Sequence, residues 1–180
     1  MDLTVLRATL QSAKTRAEVQ TAIVNAPFHF KVEAAFLFLG IVVLLVVDEA
    51  TGLIDRVALS NTELAENTTT VSAKPFHDIK IPLSNAENII AQAISSKEKQ
   101  ETTDWKYLFT PALTDEEARL NQASGGIAYS AVYPLKDVKT GAAMIFSYYQ
   151  YLHEIGDQQH AFMDEYSQLC SEALSRFAKR

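Results

Sequence analysis

The longest apolar run of this chain covers residues 34–47 and reads AAFLFLGIVVLLVV. A helix that crosses the core of a bilayer needs about 20 apolar residues. This run is shorter, and Glu33 and Asp48 close it on its two sides. We therefore interpret it as the buried core of a soluble fold and not as a membrane segment.

The run divides at Gly40 into two patterns. Residues 34–39 complete a helix-like stretch that restarts after Pro27, and Gly40 is suited to end a helix because glycine adopts positive φ at little cost. The β-branched IVVLLVV that follows is typical of a short strand buried on both faces. The turn DEATG and the segment LIDRVALS then predict the returning strand of a hairpin.

Helical spacing marks both ends of the chain. Leu3, Leu6 and Leu10 fall on one face of a first helix, and TRAE at residues 15–18 matches a capping box that begins a second. The segment from residue 156 to the C-terminus predicts a long helix. Its apolar stripe consists of Phe162, Tyr166, Leu169, Ala173 and Phe177.

The middle of the chain alternates short elements. NTELAENTTTVSAK reads as a surface loop, HDIKIPL as a short strand ending at Pro82, and KQETTDWKYLFTP as an extended segment and loop. SNAE at residues 84–87 and TDEE at residues 114–117 match two more capping boxes, each opening a helix. IAYSAVYPL and GAAMIFSYY predict a second hairpin.

These elements predict an α+β fold with a central antiparallel β-sheet. The N- and C-terminal helices are expected to pack on one face of the sheet, and loops and short helices on the other. The 180 residues fit a single domain, in which residues 1–18 form an N-terminal helical extension.

Charge and cysteine content restrict the function. The net charge of -6 disfavours partners that need a basic surface, so we expect no binding to nucleic acid or membrane. The single cysteine, Cys170, excludes an internal disulfide and agrees with a reducing compartment. The N-terminus lacks the apolar stretch of a signal peptide, and we expect a cytoplasmic protein.

Three stretches of the chain together resemble a GAF domain: VVLLVVDEATGLIDRVALS, IKIPLSNAENIIAQAISSKEKQETTDW and GGIAYSAVYPLKDVKTGAAMIFSY, followed by a closing helix. The match runs from about Val19 to the C-terminus. The residues that carry it are Asp48, Pro82, Leu83, Asp104, Gly126, Ser130, Pro134, Leu135 and Gly141.

The resemblance implies a sensory or regulatory module with a ligand cavity between the sheet and the pieces that cover its outer face. It also implies a homodimer that signals through its terminal helices to an output domain or partner, for which these residues contain no kinase, cyclase or DNA-binding pattern. A ligand would act by favouring one of two packings of those helices.

The resemblance and the side-chain chemistry give two sets of candidate residues. The ligand-binding candidates are His77, Asp104, Trp105, Tyr107, Ser124 and Tyr129. The dimer-interface candidates are Leu3, Leu6, Leu10, Phe162, Leu169 and Phe177. Alternatively, Phe109, Tyr129 and Tyr133 fill the cavity, and the domain is a ligand-free dimerisation or scaffolding module.

Catalysis and metal binding are not expected. Bilin-binding members of the family use a cysteine near the pocket, and members that reduce free methionine sulfoxide use several, whereas Cys170 lies in the closing helix. No G-x-S-x-G motif occurs. Asp157, His160 and Asp164 share a helical face but lack a fourth ligand. The pattern indicates no particular cofactor.

Overall fold

The computed structural model describes residues 3–29, 38–149 and 157–177. Six strands and seven helices lie in these ranges, together with short 3₁₀ turns. In chain order they are α1 (Thr4–Ser12), α2 (Arg16–Asn25), β1 (Leu39–Asp48), β2 (Leu53–Leu59), α3 (Glu63–Val71), β3 (Ile81–Pro82), α4 (Ile89–Ser96), β4 (Gln100–Thr102), α5 (Lys106–Phe109), α6 (Asp115–Ser124), β5 (Tyr129–Pro134), β6 (Ala142–Tyr148) and α7 (Asp157–Ser175).

The strands form one antiparallel sheet in the order β3-β2-β1-β6-β5-β4. Both predicted hairpins, β1–β2 and β5–β6, are present. β1 lies in the centre, where Leu44 pairs with Ala58 on one side and with Met144 on the other. β1 is buried from Leu39 to Val47 because both faces of the sheet are covered.

Each face of the sheet carries its own hydrophobic core. Successive side chains of a strand point to opposite faces. Val42 and Leu44 accordingly pack with α1, α2 and α7, whereas Ile41 and Val43 pack with α4, α5 and α6. The Tyr166 hydroxyl donates to the Ile23 carbonyl at 2.7 Å and connects α7 with α2. The predicted α+β class and the placement of the terminal helices on one face are confirmed.

The prediction of a helix that ends at Gly40 is wrong at its C-terminal end. Leu39 and Gly40 already belong to β1, and Phe38 enters the strand with a φ of 64°. An added Cβ at Gly40 would lie 2.6 Å from Leu64 Cδ1, so a larger residue there would require that side chain to move. At the predicted start of that helix, Phe28 ends a 3₁₀ turn and His29 follows it. Residues 30–37 lie outside the described residues.

The predicted surface loop NTELAENTTTVSAK is in fact helix α3. The Thr62 hydroxyl caps it by accepting from the Ala65 amide, and Ala65 and Thr68 are buried beneath it. Thr69 and Thr70 bond to the Glu66 carbonyl one turn earlier. These bonds satisfy the hydroxyls within the helix. The burial of Ala65 and Thr68 is what favours a helix in this threonine-rich segment.

The capping predictions have different outcomes. Thr15 caps α2, and Thr114 and Glu117 form the complete capping box of α6. The box at residues 84–87 is wrong, because α4 begins later and is capped by Asn88, whose Oδ1 accepts from the Ile90 and Ala91 amides. The extended segment predicted around residue 105 contains strand β4 and also the short helix α5.

Helix α1 packs into the core on the helix side of the sheet, with Leu6 and Leu10 buried. Among the residues that the structure describes, no helix is long and apolar enough to cross a membrane.

Candidate functional site: a cavity over the sheet

A cavity lies on the face of the sheet opposite the terminal helices. Ile41, Val43 and Ile145 from the central strands form its floor. Its cover consists of α3, α5, α6 and the segment that leads from α3 to β3. Its free volume is about 40 Å³, which is room for a few water molecules. A larger ligand would enter only if the cover moved outwards.

Trp105 forms one wall of the cavity and is held on three sides. Its indole Nε1 donates to the Ser130 hydroxyl at 2.9 Å, and Ser130 in turn shares a 2.7 Å hydrogen bond with Ser147. Its amide donates to Gln122 Oε1 of α6 at 2.9 Å. Its ring centroid lies 5.4 Å from that of Phe109. The orientation of this wall is therefore fixed by hydrogen bonds to β5 and α6.

Arg56 brings a positive charge into this apolar space. It follows Ile54 by two positions on β2 and so points to the same face, where it is 3% exposed. Its Nη2 donates to the Leu108 carbonyl at 3.3 Å, its guanidinium carbon lies 4.4 Å from the Phe109 ring centroid, and its buried Nε has no hydrogen-bond partner. Burial lowers the pKa of Arg56 to about 10, so the charge persists at neutral pH.

Asn121 adds a second polar group from α6. It is 2% exposed, and its Nδ2 donates to the Ser72 hydroxyl at 3.1 Å. Its Oδ1 is buried without a hydrogen-bond partner. Buried polar atoms in folded proteins are nearly always hydrogen-bonded, so this oxygen is available as an acceptor.

Two of the predicted ligand-binding residues lie at this cavity. Trp105 lines it directly. His77 stands behind the lining, with Nδ1 2.8 Å from the Arg56 carbonyl and its ring packed edge-on against Phe76, which does line it. Because a carbonyl only accepts hydrogen bonds, His77 Nδ1 is the donor. His77 thus positions the backbone of Arg56.

The other four candidates do not line the cavity. Asp104 accepts from Arg119 at 2.8 Å; burial acts to raise the pKa of Asp104, but hydrogen bonds from Arg119 and the Lys106 amide outweigh it and lower that pKa. Tyr107 is 43% exposed. Ser124 donates to a backbone carbonyl of its own helix. Tyr129 belongs to the core on the other face of the sheet.

Arg56, Asn121 and Thr68 also line the cavity and were not among the residues predicted from the sequence. A signal for Arg56 was present, since the alternation of β2 puts it on the same face as Ile54, and a cation on a core face is unusual. Thr68 was missed because its segment was interpreted as a loop. Asn121 gives no such signal, because polar side chains are common in short surface helices.

The predicted dimer residues lie inside the core of a single chain. Leu3, Leu6, Leu10, Phe162 and Leu169 are all buried there, and Phe177 packs against the same cluster. Contact with a second copy through the terminal helices would need their outer faces, where Val5 is 66% exposed.

Cys170 and the predicted acidic–histidine face lie away from the cavity. Cys170 is fully buried in α7, where burial raises the pKa of its thiol. His160 lies 3.0 Å from Lys99 Nζ and 3.3 Å from the Tyr133 hydroxyl. Within the described ranges no group of three potential metal ligands occurs.

The chain has the architecture of a class of α+β domains, in which helices pack on one face of an antiparallel sheet and a covered cavity lies on the other. Solved structures identify the fold. No protein-family model and no curated protein sequence matches the chain. The chain has the GAF-domain fold, as the sequence predicted. The structures that show this are all below 25% identity, so the likeness extends to the fold alone.

Three of these structures illustrate the range. The chain is similar to the GAF domain of a phosphoenolpyruvate-protein phosphotransferase from Coxiella burnetii, with a TM-score of 0.66 and 11% identity over 97% of this chain and 90% of that one. The chain is also similar to residues 122 to 287 of a methyl-accepting chemotaxis protein, with a TM-score of 0.64 and 13% identity over 95% of each chain. A third similar structure is free methionine-R-sulfoxide reductase from Neisseria meningitidis, with a TM-score of 0.61 and 12% identity over 98% of this chain and 89% of that one.

Proposed function

We propose that this chain is a non-catalytic sensory or regulatory domain that binds a small molecule in the cavity over the sheet. The observation that carries the proposal is the cavity itself, which is walled by aromatic and aliphatic side chains and contains two buried polar atoms without partners. Each such atom costs about 1–3 kcal/mol unless something bonds to it. Similar structures from a chemotaxis protein and a phosphotransferase agree with a regulatory role.

The position of Cys170 supports a role without catalysis. One similar structure is a reductase, so the fold can carry an enzyme. Here the lone thiol lies in the helix-side core and has a raised pKa. Thiolate chemistry needs an accessible thiol that ionises readily. A single cysteine also agrees with a cytoplasmic location, which we include in the proposal.

Strand β1 offers a physical route for the signal. It contributes Ile41 and Val43 to the cavity and Val42 and Leu44 to the core of the terminal helices. A ligand that shifts this strand changes the surface on which α2 and α7 pack. We propose that the outer faces of the terminal helices pass this change to a second copy of the chain and to an output domain or partner.

The alternative is a ligand-free scaffold, in which aromatic side chains fill the cavity. The positions of those side chains give this alternative less support. Of the three aromatic residues expected to fill the cavity, Tyr129 and Tyr133 lie on the opposite face, and only Phe109 is at the cavity. Tyr129 and Tyr133 therefore do not occupy the cavity, whose free volume is about 40 Å³.

Native mass spectrometry of gently purified protein, followed by a ligand screen, tests the proposal. Trp105 is the only tryptophan of the chain and lines the cavity, so its fluorescence reports binding there. We expect a retained small molecule, or a library compound that raises the melting temperature and changes this fluorescence in a saturable way. A chain that carries no extra mass and responds to no neutral or charged compound would contradict ligand binding and favour the scaffold.

A further inference from the structure

Arg56 is a buried cation without a counter-charge. It is 3% exposed, and among the described residues no carboxylate forms an ion pair with it. The structure shows burial, and no nearby charge, as the cause of its lowered pKa. A buried charge is costly unless it is paired and hydrogen-bonded. The Phe109 ring and one carbonyl meet only part of this need.

We propose that the cavity binds a small organic anion and that Arg56 binds its charged group, a carboxylate or a similar planar oxyanion. This inference rests on the proposed function and names the class of ligand. A guanidinium presents five N–H donors in a planar fork that matches a carboxylate. In this structure Nη2 donates to Leu108, while Nε remains without a partner.

The guanidinium is held in place before any ligand arrives. The backbone of Arg56 is held by His77, its Nη2 by the Leu108 carbonyl, and its guanidinium carbon lies over the Phe109 ring. A group already fixed in its binding geometry loses little conformational entropy on binding. The arrangement is therefore that of a preformed anion site.

The remaining walls define the rest of the ligand. Trp105, Phe109 and Phe76 offer flat apolar surfaces that inorganic phosphate would leave uncovered, so the anion carries a small apolar body. Because the free volume is about 40 Å³, binding includes an outward movement of the cover. Asn121 offers a polar contact. Because the Ser72 hydroxyl can donate or accept, the Asn121 amide can present either its oxygen or its nitrogen to a substituent of the ligand.

Matched pairs of compounds test the inference. Aliphatic and aromatic monocarboxylates and the primary amides of the same acids are titrated into the wild-type protein, with Trp105 fluorescence and melting temperature as readouts. We expect saturable binding of at least one acid, and binding of its amide weaker by about tenfold or more, because hydrogen bonds to charged groups are the stronger ones. Arg56→Met should remove this preference, and Arg56→Lys should keep part of it.

Arg16→Met is the control, since it removes one cation from the exposed start of α2 on the other face of the sheet and should leave acid binding unchanged. Equal affinity for acids and amides, or acid binding that persists in Arg56→Met, would overturn the inference. If Arg56→Met does not fold, the acid–amide comparison on the wild type still decides. Neutral compounds that bind while no acid does would refute the anion site and leave the proposed function intact. A total lack of response would refute both.

Discussion

At the scale of single residues, Arg56 places a charge inside the cavity at a cost in the stability of the fold. Its charge is buried, and its contacts are the Leu108 carbonyl and the Phe109 ring. Replacing buried ionic groups by apolar side chains of similar volume is often neutral or stabilising by about 1–4 kcal/mol. Arg56 is therefore expected to destabilise the ligand-free fold.

We predict that Arg56→Met leaves the free energy of unfolding of the ligand-free protein unchanged or raises it by about 1–3 kcal/mol. The gain from removing the buried charge exceeds the loss of one hydrogen bond to Leu108, about 1 kcal/mol. Urea unfolding monitored by circular dichroism measures the difference. A loss of more than about 2 kcal/mol would mean that Arg56 supports the fold by its contacts instead.

The sequence identifies cavity residues only where a side chain acts locally. Trp105 was predicted because aromatic residues in a covering segment often reach a cavity. Asp104 and Tyr107 share that segment but point elsewhere, since Asp104 pairs with Arg119 and Tyr107 faces solvent. The approach of Arg56 to Leu108 joins residues far apart in the sequence, and no local pattern contains that contact.

At the scale of elements, the two hairpins and the helix starts at Thr15 and Thr114 were predictable, whereas α3, the start of α4 and the start of β1 were not. The two hairpins have β-branched strands around a turn, and the Thr114 box satisfies its helix end within four residues. Helix α3 depends on the burial of Ala65 and Thr68 under tertiary contacts. Tertiary packing overrides helix propensity in such segments.

Two turn glycines provide a matched test of local strain and packing. Gly52 between β1 and β2 and Gly141 at the start of β6 both have positive φ, at 68° and 97°. A Cβ at Gly52 would meet nothing within 4 Å, whereas one at Gly141 would lie 2.8 Å from Ile94 Cγ2 and 3.0 Å from Val47 Cγ2.

We therefore predict that Gly52→Ala destabilises the protein by about 1–2 kcal/mol, the cost of a left-handed alanine. Gly141→Ala should cost about 2–5 kcal/mol, because overpacking against α4 and β1 adds to that strain. Chemical denaturation of the two variants gives the difference directly. Equal costs would show that α4 can move away from the turn at no expense.

At the scale of the whole molecule, one core holds a group of buried phenols. Tyr129, Tyr133, Tyr148 and Tyr166 all pack on the helix side of the sheet, and burial raises the pKa of each. In the unfolded chain tyrosines ionise near pH 10. Above that pH the native state binds more protons than the unfolded state, so stability falls as pH rises.

We predict that the four tyrosines lower the free energy of unfolding by about 5–6 kcal/mol per pH unit once they are ionised in the unfolded chain, at about 1.4 kcal/mol for each. Arg56 acts in the opposite direction. Its pKa of about 10 in the folded state lies below its unfolded value, so this one group makes the free energy of unfolding rise with pH over the same range. Denaturation at several alkaline pH values measures how the free energy of unfolding changes with pH. Tyr148→Phe should make this change smaller by about 1.4 kcal/mol per pH unit. Phenolate absorbance from all four residues before unfolding would contradict the prediction.

The edges of the sheet determine how copies of this chain can meet. The outermost strands, β3 and β4, contain two and three residues. Edge strands this short expose too few free amides and carbonyls to recruit a strand from another molecule, a common protection against aggregation. If two copies associate as proposed, these short edges favour contact through helix surfaces over extension of the sheet. Such contact would leave the cavity and its cover free in each copy.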